Sequence, residues 1–147
     1  MLNKSKLIIA AALLAVGSSV MAAASIAQAM TVKEADVTHK TNLIATAKVR
    51  VNGKMESILT DKAGFSLYTF TLDSMNVSKC SGPCLAEWPS LHVPPGESVS
   101  APFGTIQGND GQPQLTLNRL PLYRFDGDKK PGDAFGQYPS WDAVVVE

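Results

Sequence analysis

The chain has 147 residues, 45% of them hydrophobic, with 13 basic residues against 13 acidic ones. That length suits one ordinary domain once a leader is removed. The balanced charge offers no basic patch of the kind that binds nucleic acid, so that class of partner is excluded.

Residues 1–29 read as a cleavable secretory signal peptide: Lys4 and Lys6 precede an apolar run from Leu7 to Val16, and small residues close on Ala27-Gln28-Ala29. Ala29 is the expected cleavage point, with Ala24 as the lesser alternative. The apolar run is interrupted by Gly17-Ser18-Ser19 and is shorter than the roughly 20 residues a spanning helix needs, so no membrane span is expected after cleavage. Cys80 and Cys84, the two cysteines, lie far from that point; no lipid anchor is expected. Loss of Lys4 and Lys6 leaves 11 basic residues against 13 acidic ones in the mature chain.

Residues 30–43 show little periodicity and several charges, which predicts a flexible N-terminal arm, with a single β domain over 44–147. Two β-like runs, 47–51 and 55–60, flank Asn52-Gly53. Asn-Gly between such runs predicts a hairpin, because both central residues of a type I′ turn need positive φ. Asp61-Lys62-Ala63-Gly64 supplies the next turn.

Leu67-Tyr68-Thr69-Phe70-Thr71-Leu72-Asp73 then reads L-Y-x-F-x-x-D, and Leu122-Tyr123-Arg124-Phe125-Asp126-Gly127-Asp128 repeats it. Two copies predict two related units, about 55–91 and 103–147, sharing one core. Alternation puts Tyr68, Phe70 and Leu72 on one face, and Tyr123 and Phe125 on the matching one. Together with Trp88 and Trp141 these rings are expected to be packing residues, not a binding cage. Between the copies, Pro83 to Trp88 predicts one short helical turn stopped by Pro89. Residues 103–107 and 114–117 predict a second hairpin across Gly108-Asn109-Asp110-Gly111, and 141–146 a β-branched closing run. Short strands at this spacing indicate an all-β fold, a small sandwich or barrel-like domain.

The chemistry-bearing residues are few. Cys80-Ser81-Gly82-Pro83-Cys84 in an oxidising compartment predicts a structural disulfide; a redox pair and a metal thiolate are the competing readings. Asp126, Asp128 and Asp133 fail the calcium-loop template, because Lys130 occupies a ligand position, and solvated turn caps are the expected role. Asp73 and Asp128 end the two copies in equivalent places. Each is expected to cap the backbone of the loop that follows, unless the two meet as a carboxylate pair with one raised pKa. His39 and His92 have no motif partner, and no nucleophile elbow, zinc-binding helix or phosphate loop is present, so no catalytic residue is named.

Taken together, these features resemble the bacterial secreted-repeat family, predicted lipoproteins with a Y-x-[FWY]-x-x-D motif. Tyr68, Phe70 and Asp73 match the motif, and Ser78, Cys80, Gly82, Cys84, Trp88, Pro89 and Leu91 match the segment that follows it. Pro121, Leu122, Tyr123, Phe125, Asp128, Pro131, Gly132, Asp133, Gly136 and Gln137 match the second unit, and Trp141 the closing strand. Ser90 departs from a usual proline and Asp142 from a frequent histidine, and no lipobox cysteine is present. The resemblance implies an exported small β domain of unknown molecular function.

The expectation is therefore a periplasmic or secreted monomer, non-enzymatic and without cofactor or metal. It would bind an envelope protein or a small ligand through the loops carrying Asp73 and Ser78, and Asp126, Asp128 and Asp133. A thiol–disulfide accessory using Cys80 and Cys84 is the alternative, and a metal-binding protein the third reading.

Overall fold

A computed structural model describes residues 30–147; the expected leader and its Ala29 cleavage point lie outside the described residues. Among the described residues, nine short strands and two helices of four and five residues form an all-β domain whose sheets do not close into a barrel.

The first hairpin pairs β2 (Ile44–Val51) with β3 (Lys54–Asp61) in register from Ile44↔Asp61 to Val51↔Lys54. Asn52 and Gly53 take φ of 47° and 84°, the two positive values a type I′ turn requires. A second hairpin joins β5 (Phe103–Gln107) to β6 (Pro113–Leu117), and β6 continues to β7 (Leu120–Pro121). That last turn also has two positive φ values, at Asn118 (49°) and Arg119 (68°). Arginine lacks the glycine cue that marks such turns, so nothing in the local sequence announces it. The helical turn after the cysteine loop is α2 (Pro83–Glu87), entered by a proline whose missing N–H costs nothing at a helix start.

Residues 30–43 are not a loose arm. β1 (Thr31–Val32) lies parallel to β9 (Val145–Val146), and α1 (Glu34–Val37) follows it. The Val145 N–H donates to Met30, the Glu147 N–H to Val32 and the Glu34 N–H to Glu147, and Val37 is completely buried. A two-residue strand and a four-residue helix are too short to show periodicity, which is why composition misreads them.

The two repeats are related by an approximate two-fold axis, and they exchange their closing segments. In one half, the Leu59 N–H donates to the Val144 carbonyl, Val144 to Leu67, and Leu67 to Leu59. In the other, Leu115 donates to Leu91, Leu91 to Leu122, and Leu122 to Leu115. These are the same three-residue cycle, but Leu91, from the first repeat, completes the second repeat's hairpin, and Val144 completes the first's. The flanking pairs follow suit: β4 (Tyr68–Phe70) pairs with β8 (Trp141–Ala143), while Tyr123 bridges to Ser90. All six residues of the two cycles belong to one buried aliphatic cluster. At roughly 1.5–3 kcal/mol per fully buried aliphatic side chain, the exchange sits where the hydrophobic stabilisation is concentrated.

Beside that cluster lies an aromatic one, containing Tyr68, Trp88, Tyr123, Phe125 and Trp141 with Phe70 packed against it. Leu72, expected on this face, is 63% exposed. The strand ends at Phe70, whose carbonyl accepts the Asp73 N–H and turns the chain outward before Leu72 can follow the alternation.

Val37→Ala should lower the unfolding free energy by about 2 kcal/mol in urea titration, the cost of a buried aliphatic truncation. A loose arm would give less than about 0.5 kcal/mol.

Candidate functional site

The site grows from one backbone pair. The Tyr68 N–H donates to the Tyr123 carbonyl at 2.9 Å and the Tyr123 N–H returns to Tyr68 at 3.0 Å, so the equivalent tyrosines of the two repeats face each other across the axis. Opposite residues of such a pair send their side chains to the same face. Both rings are completely buried.

Each phenol is then bound by the aspartate of the other repeat. Tyr68 Oη donates to Asp128 Oδ2, and Tyr123 Oη to Asp73 Oδ2, both at 2.7 Å. The second oxygen of each carboxylate caps its own loop: Lys79 N–H donates to Asp73 Oδ1 at 2.6 Å, and Phe135 N–H to Asp128 Oδ1 at 2.8 Å. The loop-capping expectation for the two aspartates thus describes one oxygen of each, while the other oxygen crosses to the opposite tyrosine. They do not form a carboxylate pair with each other.

The phenol oxygens have further partners. Gly136 N–H donates to Tyr68 Oη at 3.1 Å. A side chain at Gly136 is excluded, because its Cβ would lie 2.7 Å from the Tyr68 ring. At the other node the single Tyr123 proton goes to Asp73, so Ser78 Oγ, 2.7 Å from Tyr123 Oη, donates to it. Burial is the first cause that holds the Asp73 and Asp128 carboxyls above their ordinary range. Burial also raises both phenols well above their ordinary value, and the neighbouring carboxylates push in the same direction.

The rings form a column across the axis. Trp88 and Trp141 stack with centroids 3.8 Å apart and planes 1° from parallel. Phe70 stacks on Trp141 at 4.3 Å and Phe125 on Trp88 at 4.6 Å, so each phenylalanine covers the tryptophan of the other repeat. Tyr68 meets Trp88 edge-on at 5.5 Å and Tyr123 meets Trp141 edge-on at 5.1 Å. Stacked and edge-to-face arrangements both suit the ring quadrupoles.

Cys80 and Cys84 are joined as a disulfide with Cα atoms 5.3 Å apart, Cys80 being completely buried. The segment that leads into the disulfide is held from outside. Asn109 Nδ2, from the turn between β5 and β6, donates to the carbonyls of Cys80 (2.8 Å) and Ser78 (3.1 Å), and Asn76 N–H donates to the Arg119 carbonyl. Sequence reasoning does not find Asn109 as a clamp, since nothing local distinguishes it from any other turn asparagine.

In the second loop Asp133 Oδ2 accepts the N–H groups of Lys129 and Lys130 and is buried. Asp126, by contrast, is exposed, with its carboxylate 3.4 Å from the Lys129 ammonium. Gln137 anchors the end of this loop, accepting Ala143 N–H at 2.7 Å. Among the described residues no three His, Cys, Asp or Glu side chains are grouped so as to hold a metal ion.

A family described as a secreted repeat of unknown function matches residues 49–92 and again 104–138. The chain belongs to this secreted-repeat family. No curated protein and no solved structure matches it. Both matched stretches contain the L-Y-x-F-x-x-D phrase, and the secreted repeat is thus present in two spatially interlocked copies. Among the described residues no helix is long and apolar enough to cross a membrane.

Double-mutant cycles distinguish exchanged from self-contained repeats. Tyr68→Phe with Asp128→Asn, and Tyr123→Phe with Asp73→Asn, should each couple by about 1 kcal/mol or more in unfolding free energy. Tyr68→Phe with Asp73→Asn should be additive within about 0.5 kcal/mol; coupling in that pair instead would contradict the exchange.

Proposed function

We propose that this protein is an exported, non-enzymatic binding domain of the cell envelope, delivered by a cleavable leader to the periplasm or beyond, and that it engages its partner through loops 71–80 and 126–140. The observation that carries this reading is where apolar surface is left uncovered. Six large hydrophobic side chains are exposed among the described residues, and five fall in these two loops: Leu72, Met75 and Val77 after the first copy, Phe135 and Tyr138 after the second. Burying them on a partner would recover the hydrophobic term that the isolated domain forgoes.

Loop rigidity supports the same reading. Side chains displayed on a backbone already fixed by hydrogen bonds lose little entropy on binding, which favours affinity. Here the Asp73 cap, the Asn109 clamp and the bond from Asn76 N–H to Arg119 fix one loop, and the Asp128, Asp133 and Gln137 caps fix the other. The departures at the expected site fit this division: Asp73, Asp128 and Asp133 face inward as supports, and the apolar residues between them face outward. Contact with the partner is therefore assigned to the apolar residues, with an envelope protein as the partner class that apolar loops fit best.

Photo-crosslinking from Met75 and from Phe135 in the intact envelope should capture one common partner, and Leu72→Ser with Tyr138→Ser should abolish capture while leaving the fold unchanged by circular dichroism. Exposed Met55, outside both loops, serves as the control position. Capture from Met55 equal to that from the loops would remove the support for this reading.

A further inference from the structure

We propose a second activity, independent of partner binding: the aromatic column is a proton-coupled one-electron relay in which Tyr68 and Tyr123 donate electrons through the stacked Trp88–Trp141 pair. The geometry that carries it is the conjunction, twice over, of a buried phenol 2.7 Å from a carboxylate oxygen and edge-on to an indole that is itself stacked at 3.8 Å on its twin.

Removing an electron from a phenol makes its O–H strongly acidic, so oxidation proceeds readily only where a base can take the proton at once. Donor–acceptor distances of about 2.6–3.2 Å permit that transfer without solvent. Asp128 Oδ2 and Asp73 Oδ2 meet this condition, and the N–H groups of Phe135 and Lys79 hold the carboxylates in place. Burial and the adjacent carboxylates keep both phenols protonated well above their ordinary pKa, so the proton leaves with the electron, not before it.

Among the described residues the carboxylates are hydrogen-bonded to the phenols and not to either indole, so the hole passes through the tryptophans and rests on a tyrosine. Phe70 and Phe125 cover the outer faces of the pair as inert ends. The column reaches the surface at Tyr138, which is 51% exposed and meets Trp88 edge-on at 6.1 Å.

The step balances. A one-electron oxidant, such as a peroxide-derived radical or an oxidised metal complex, gains one electron. The Tyr O–H bond breaks, the proton forms a bond to the aspartate Oδ2, and a neutral phenoxyl beside a carboxylic acid remains. A one-electron reductant reverses both transfers. In an oxidising compartment such a relay draws holes into a reversible site.

Flash oxidation of the mature protein by photogenerated tris(bipyridine)ruthenium(III), followed by electron paramagnetic resonance and transient absorption, tests this. A neutral tyrosyl radical is expected in the wild type, and a much lower yield of it in the Tyr68→Phe/Tyr123→Phe double variant, which keeps the exposed Tyr138. Asp73→Asn with Asp128→Asn should slow phenoxyl formation about tenfold or more. If those variants fold poorly, slower formation in deuterated water with the wild type gives the same readout. A tyrosyl yield in the double Phe variant equal to that of the wild type, or formation unaffected by deuterium, would each overturn the proposal.

Discussion

The structure depends on the reciprocal hydrogen bonds between Tyr68 and Tyr123. That pair sets the two repeats in register across the axis, and every exchanged contact follows from it: the phenols reach the opposite aspartates, the phenylalanines cover the opposite tryptophans, and Leu91 and Val144 enter the opposite hairpins. A repeat lacking its partner would leave a buried phenol and a buried carboxylate unpaired, each costing about 1–3 kcal/mol, and an aliphatic triplet short of one member. Neither unit is complete alone, so the chain carries both.

The same arrangement separates support from display. Asp73 and Asp128 each spend one oxygen on the opposite tyrosine and one on the loop that follows, so the shape of each loop is tied directly to the interface between repeats. The core thereby transmits its rigidity outward, and the apolar side chains at the loop tips sit on backbones fixed from beneath. The exposed surface is where the two copies diverge, since Leu72, Met75 and Val77 have no counterparts in kind at Phe135 and Tyr138.

Much of this architecture is legible in the sequence, and the reason is local. Asn52-Gly53 announces its hairpin because only residues tolerant of positive φ fit there. The repeated L-Y-x-F-x-x-D phrase announces two units, and alternation places Tyr68, Phe70, Tyr123 and Phe125 inward. What escapes is whatever depends on partners distant in the chain. Nothing near Leu91 says that it pairs with Leu115 and Leu122 instead of Leu59 and Leu67, because both triplets are equally apolar. The docking of residues 30–43 escapes for a related reason, since β1 is specified by β9 at the far end of the chain. Leu72 is misplaced because the alternation gives no sign of where the strand stops.

Native-state hydrogen exchange of the whole chain tests the central claim, that the repeats form one interlocked cooperative unit. The amides of Tyr68 and Tyr123, together with those of Leu59, Leu67, Leu91, Leu115, Leu122 and Val144, should exchange only through global opening, with one shared free energy and one denaturant dependence. Exchange of one repeat's amides through a lower-energy opening, while the other's stay protected, would contradict the account.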